Sequence, residues 1–348
     1  MRKLLIIFLL LQSINLKSQK AGDYTYSFLS IPTTSIQSGV GGINVSIPNE
    51  NFFQNNPALL TKDFSKSLLA TYNNYFADIN NGSVSYIFSE SKFGYFATSV
   101  NYLNYGEFKS ADEYGNITGT FTASDYTLVV SWGYQIDTLF SIGINLKPIF
   151  SQYEIYNSIG LANDLGILYT SPNKNFNAGL VFKNIGFQIK PYITGNKERL
   201  PYEIQLGITQ KLPHSPFRFS VTAHHLNDFY FSEKIEKEQE VIDDKTVKKE
   251  SKLEKYADLT FRHIVVGAEI QPSPSIFILL GYNYMQRQEL KILSRKGIVG
   301  YSIGFGLKIK RFSFGYSLAK YHFAANNHIF TIQFKFNQNK KIKEQNLN

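Results

Sequence analysis

"LFSIGINLKP" occupies Leu139 to Pro148, and its residues sort into two sets by parity. Phe140, Ile142, Ile144 and Leu146 are apolar, whereas Ser141, Gly143, Asn145 and Lys147 are polar or small. Successive side chains of a strand point to opposite faces, so the stretch has one greasy face and one polar face. "PYEIQLGIT" repeats the pattern, with Tyr202, Ile204, Leu206 and Ile208 set against Glu203, Gln205, Gly207 and Thr209. "RFSFGYSLAK" does so again, with Phe312, Phe314, Tyr316 and Leu318 set against Ser313, Gly315 and Ser317. About fourteen such runs follow one another, near 67-75, 82-88, 92-104, 123-135, 139-152, 158-170, 175-187, 201-212, 216-228, 259-271, 276-287, 297-309, 311-323 and 326-336.

Eleven residues at ~3.3 Å each, tilted by ~45°, rise about 25 Å, the height of the apolar band of an outer-membrane barrel. A β-sandwich would have fewer and shorter strands, and a propeller would repeat about every forty residues. The connections also alternate in length. Those after even-numbered runs are short, at 89-92, 136-139, 170-174, 212-216, 271-275 and 308-311, and several odd ones are long, at 105-122, 188-200, 229-258 and 288-296. Short turns toward the periplasm and long loops toward the outside are how such barrels are built. The expected fold is all-β: a transmembrane antiparallel barrel of about fourteen strands over 67-336, in the outer membrane, with both ends in the periplasm.

The ends of the chain fit this reading. "MRKLLIIFLLLQSINLKSQ" opens with Arg2 and Lys3, continues with an apolar run from Leu4 to Leu11 and turns polar, the order of a secretory signal peptide. Residues 1-18 are expected to be that signal. The last strand, "HIFTIQFKF", places Phe330, Ile332, Phe334 and Phe336 on the face expected to touch lipid and Thr331, Gln333 and Lys335 on the other. Residues 337-348 would then be a periplasmic tail.

Composition narrows the chemistry. Cysteine is absent, which excludes disulfides, a lipoprotein anchor, thiol catalysis and thiolate metal sites. Aromatic residues make up 15%, as suits strands with a lipid-facing side. The charge excess of +9 is scattered between strands, and suits anionic lipid or polysaccharide rather than nucleic acid.

A barrel of about fourteen strands has a lumen that must be water-filled or plugged. Residues 19-66 lack clear strands and are the expected plug. Within them Asn56 precedes Pro57, so Asn56 is pushed to an extended conformation and Pro57 is pre-set for a first helical position. Asn56 is expected to cap a turn over Pro57 to Leu60.

No nucleophile elbow, phosphate loop or metal motif is present, and no enzymatic activity or cofactor is expected. His224 and His225 fall in the run 216-228, where neighbours point to opposite faces and would not share an ion. "DEYGN", Asp112 to Asn116, is read as a glycine-containing loop tip needing no calcium. Asp125 and Asp164 are expected in lumenal hydrogen-bond networks. The stretch 229-258 carries nine acids and seven Lys, and is expected to be a long charged extracellular loop.

"GGINVSIP" followed by "NPALL", then "YNNYFADINNGSVSY", "YLNYGEFKSADEYGNITGTFTASDYTLVVSWG", "FSIGINLKPIFSQYEIYNSIGLANDLGILY", "NIGFQIKPY" and "LPHSPFRFSVTAHHL" together resemble the PorQ family of the type IX secretion system of Bacteroidota. The resemblance covers roughly 22-336, with the block 102-169 its most specific part. Residues 229-258 depart from it. The early NPA segment is shared more weakly with the wider group that includes FadL-type transporters and the shuttle protein PorV. The resemblance implies a fourteen-stranded barrel with an N-terminal plug. It further implies a non-enzymatic membrane anchor for a PorZ-like surface protein, in an attachment complex with PorU and PorV. Tyr114, Tyr192 and Arg199, on the long connections, are candidate partner contacts, since aromatics and Arg are enriched at interface hot spots. The alternative is a FadL-like transporter or carrier of hydrophobic small molecules.

Overall fold

The computed structural model describes residues 24–61, 66–75, 79–88, 91–229, 252–289, 299–320 and 326–336. The segments expected to be the signal peptide and the tail lie outside these residues, as does most of the charged stretch 229-258.

Fourteen strands make up the wall: β1 (Ser67–Asn74), β2 (Asn80–Ile87), β3 (Tyr95–Ala111), β4 (Ile117–Gln135), β5 (Phe140–Tyr153), β6 (Tyr156–Thr170), β7 (Phe176–Lys190), β8 (Glu203–Lys211), β9 (Phe217–Ala223), β10 (Ile264–Ser273), β11 (Ile276–Asn283), β12 (Tyr301–Ile309), β13 (Phe312–Ala319) and β14 (Asn327–Lys335). Each pairs antiparallel with its neighbours in sequence, and β1 pairs with β14 from Ser67 opposite Lys335 to Asn74 opposite His328, which closes the ring. Closure leaves no sheet edge, as a strand structure in hydrocarbon requires.

The parity of "LFSIGINLKP" is read out inside-out. Ser141, Gly143, Asn145 and Lys147 are buried, while Phe140, Ile144 and Leu146 are exposed. The same holds round the wall, where Leu68, Val100, Leu128, Ile167, Ile208, Ile303 and Ile332 are exposed and Asn73, Ser99, Asp125, Asp164, Thr209 and Thr331 are buried. An apolar outer belt over a polar interior is the arrangement of a barrel in lipid. Phe330, Ile332 and Phe336 lie on that belt; Phe334 does too, half-covered by the rings of Phe312 and Phe336 with centroids 4.8 and 4.9 Å away.

The wall differs from the sequence reading in five places. Residues 105-122, expected to be a loop, extend β3 and β4 into a ribbon largely exposed on both faces, with Phe108 stacked on Phe121 at 5.2 Å. Beyond the membrane no single face needs to be apolar, so the alternation fades while the pairing persists. The run 216-228 ends early, because β9 stops at Ala223 and His225 takes φ 53°. Residues 259-262, expected to begin a strand, close helix α2 (Lys252–Arg262), where Arg262 Nε donates to Asp258 Oδ2 at 2.6 Å across one turn. The runs 276-287 and 297-309 are likewise shorter: Tyr284 begins helix α3 (Tyr284–Glu289), and β12 begins at Tyr301. At both helices Leu, Met, Gln, Glu and Lys favour the helix locally, whereas β-branched residues are scarce.

Residues 24–60 run against the buried faces of strands on opposite sides of the ring. Helix α1 (Ser35–Gly39) packs on β11 to β14, and the 3₁₀ turn Pro57–Leu59 packs on β4, β5 and β6.

Candidate functional site in the barrel lumen

The Asn-Pro turn forms where the local chemistry places it. Asn56 is extended, at φ −141° and ψ 105°, and its Oδ1 accepts the Ala58 N–H at 3.0 Å. Pro57 occupies the first helical position, and the turn ends one residue sooner than expected, with Leu60 already extended. Asn56 also works outward from the turn. Its Nδ2 donates to the Val45 carbonyl at 2.8 Å and to the Ile167 carbonyl of β6 at 3.4 Å. Such close approach needs a wall without side chains. A β-carbon on Gly143 or Gly166 would overlap Pro57 or Asn56.

Polar groups fasten the rest of the segment. Thr34 caps α1 by accepting the Gln37 N–H at 3.2 Å, and the Ser35 N–H donates to Thr331 Oγ1 of β14 at 2.9 Å. Ser302 Oγ of β12 donates to the Gly39 carbonyl at 3.1 Å. On the other side Gln54 Nε2 donates to Ser99 Oγ at 3.1 Å, its Oε1 accepts from Asn101 Nδ2 at 2.8 Å, and its carbonyl accepts from Asn145 Nδ2 at 3.1 Å. Glu50 forms an ion pair with Lys335 at the end of β14.

Both carboxylates read as lumenal belong to networks. Asp164 takes Lys147 Nζ at 2.6 Å, Asn145 Nδ2 at 2.8 Å and the Asn184 N–H at 2.8 Å, and all of these groups are buried. Asp125 accepts from Tyr105 at 2.7 Å, from Tyr153 at 3.1 Å and from Ser151. Tyr192 OH donates to Ser151 Oγ at 2.5 Å, and Tyr26 OH bonds Ser158 Oγ at 2.5 Å, so a tyrosine cluster seals the start of the segment to β3 through β7.

The three candidate partner residues are not brought together. Tyr114, 89% exposed, stands at the tip of the β3–β4 ribbon. Tyr192 points inward into the tyrosine cluster, with the Tyr153 ring at 5.2 Å. Arg199 is exposed, and its carbonyl accepts the Thr25 N–H at 2.9 Å, tying the connection between β7 and β8 to the N-terminal segment. At the ribbon tip, Asp112 Oδ1 accepts the N–H groups of Tyr114 and Asn116 and its Oδ2 accepts the Asn116 amide at 2.9 Å. The Asn116 amide and backbone hold this carboxyl below its ordinary range.

One gap lies beside the segment. The space between Phe28, Gln37, Gln54, Asn101, Lys147 and Lys183 amounts to about 30 Å³, enough for roughly two waters.

The sequence reading missed one cluster. Because β9 ends at Ala223 and His225 is left-handed, the rings of His224 and His225 turn toward each other, with their Nδ1 atoms 2.8 Å apart. Glu203, the first residue of β8, faces both.

No family model matches the sequence, and no curated protein does. Solved structures do. The toluene transporter TbuX of Ralstonia pickettii is similar over 89% of this chain and all of its own, at 11% identity and a TM-score of 0.52. The toluene transporter TodX of Pseudomonas putida covers 87% of this chain and 96% of its own, at 10% identity and 0.52. The monoaromatic hydrocarbon channel CymD covers 90% and 100%, at 12% identity and 0.51. The likeness is one of fold: the chain is a closed fourteen-strand antiparallel barrel. Its exposed apolar belt places it as a multi-pass protein of the outer membrane.

Proposed function

We propose that this chain is a non-enzymatic outer-membrane anchor, whose lumen is plugged by its own N-terminal segment and whose outer connections hold a surface partner. The observation that supports this reading is the set of hydrogen bonds that ties residues 24–60 to buried faces on two sides of the ring. The gap beside them, about 30 Å³ and lined half by amide and ammonium residues, is an order of magnitude below the ~300–1,000 Å³ of a small-molecule site. The resemblance to the PorQ family supplies the partner: a PorZ-like surface protein, in one attachment complex with PorU and PorV. The solved neighbours do not speak to secretion.

Those neighbours favour a second reading, a FadL-like transporter of hydrophobic small molecules, since two are toluene transporters and one a monoaromatic hydrocarbon channel. On that reading residues 24–60 must leave their hydrogen bonds to open a path. One experiment separates the two. In cells lacking the chain, loss of a surface protein that co-purifies with it from outer membranes, with hydrocarbon uptake unchanged, supports the anchor. Retained surface protein with lost uptake of an apolar nutrient overturns it in favour of the transporter.

A further inference from the structure

At the end of the barrel that carries the long connections, Glu203 opens β8 and His224 and His225 follow β9. Three donor atoms converge there. His224 Nδ1 lies 2.8 Å from His225 Nδ1, and Glu203 Oε1 lies 3.1 Å from the second and 3.7 Å from the first. Ligands held at ~2.0–2.2 Å from one zinc ion are about 3.3 Å apart at a tetrahedral angle and about 2.9 Å apart at a right angle. The three separations scatter about that range without an ion to draw them in.

Hydrogen bonding alone serves this geometry poorly. Nδ1 of His225 carries one hydrogen at most, yet it faces both a carboxylate oxygen and the other imidazole nitrogen. Nε2 of His224, fully buried, has no hydrogen-bond partner among the described residues. The backbone does hold the pair in place. The His224 N–H donates to the His263 carbonyl at 2.9 Å, the His224 carbonyl takes His263 Nδ1 at 2.8 Å, and the His225 N–H reaches Glu203 Oε1 at 3.2 Å. The His263 ring spans the carbonyls of His224 and Phe229, with Nε2 3.0 Å from the latter, and whichever nitrogen carries the hydrogen it braces the pair from behind. His225, with its side chain 23% exposed, supplies the way in from solvent.

We propose that Glu203, His224 and His225 bind a divalent transition-metal ion of the zinc type, which clamps the start of β8 to the segment leaving β9 beneath the outer connections. Two imidazoles and a carboxylate are a recurrent zinc donor set, with the fourth position open to water. The site is independent of whether the barrel anchors or transports.

The test uses the full chain, folded in detergent, stripped with a chelator and titrated with Zn²⁺ or Co²⁺. Wild type is expected to bind one ion with a visible tetrahedral cobalt spectrum. His225→Asn, in which Asn tolerates the left-handed backbone, and Glu203→Gln are expected to weaken binding at least tenfold and remove that spectrum. His214→Asn, in the turn between β8 and β9 at the other end, should leave both unchanged. Folded wild type that takes up no ion overturns the proposal by itself, whatever the variants do; so does His225→Asn binding as tightly as wild type.

Discussion

The side-chain oxygen of Asn56 sits where a β-carbon on Gly166 would have to be, so the N-terminal turn and β6 meet only because residue 166 has none. Gly166→Ala is therefore expected to push the turn off the wall, raising amide exchange over residues 44–60 and lowering the unfolding midpoint. Gly119→Ala, where a β-carbon meets nothing, should do neither. Asn56→Ala removes a helix cap, worth about 0.5–2 kcal/mol, and also strands the Val45 carbonyl. Equal exchange in Gly166→Ala and Gly119→Ala would refute the close packing.

Lys147 and Asp164 form a buried pair whose side chains are 5% and 0% exposed. Removing one member of such a pair costs about 3–5 kcal/mol, because the other is left charged without a partner, whereas replacing both with apolar groups is often nearly neutral. Asp164→Ala should thus destabilise the barrel more than the double variant Lys147→Met with Asp164→Leu. Urea unfolding in detergent micelles reads the difference. A double variant no more stable than the single would mean that the Asn145 and Asn184 bonds to Asp164, rather than its charge, carry the network.

The wall was legible because lipid and lumen impose opposite demands on alternate residues, and "LFSIGINLKP" records both. Where one demand lapses the signal goes with it. The β3–β4 ribbon lies beyond the membrane and lost its alternation, and Leu259 to Arg262 alternate by chance inside a helix. Asn56 and Pro57 were readable as a turn because a cap is local. What the turn touches was not, since the bond from Ser35 to Thr331 joins residues 296 apart. The histidine pair was misjudged for a related reason. Its convergence depends on a left-handed backbone at His225, for which the side chain gives little local signal. What Tyr192 touches was hidden in the same way, since its partners Tyr153 and Ser151 arrive from β5.

On β14, Ile332 is 54% exposed on the outer belt near mid-strand, and Phe336 is 40% exposed beyond the strand's end. Arg on the lipid face costs about 2–4 kcal/mol at the midplane and falls to about 0–1 near the interface. Ile332→Arg should therefore impair folding into liposomes far more than Phe336→Arg. Equal yields would contradict this depth assignment.

The chain has no cysteine, so a single introduced one reports which end faces outward. Tyr114, at the tip of the β3–β4 ribbon, and Thr138, in the turn between β4 and β5, are both exposed and stand at opposite ends of the barrel. Short turns belong on the periplasmic side of outer-membrane barrels and long loops on the outer side. Tyr114→Cys should react with a membrane-impermeant thiol reagent on intact cells, and Thr138→Cys only after lysis. The opposite result would turn the barrel over. It would place Tyr114, Arg199 and the metal-binding cluster in the periplasm, where none of them could meet a surface protein.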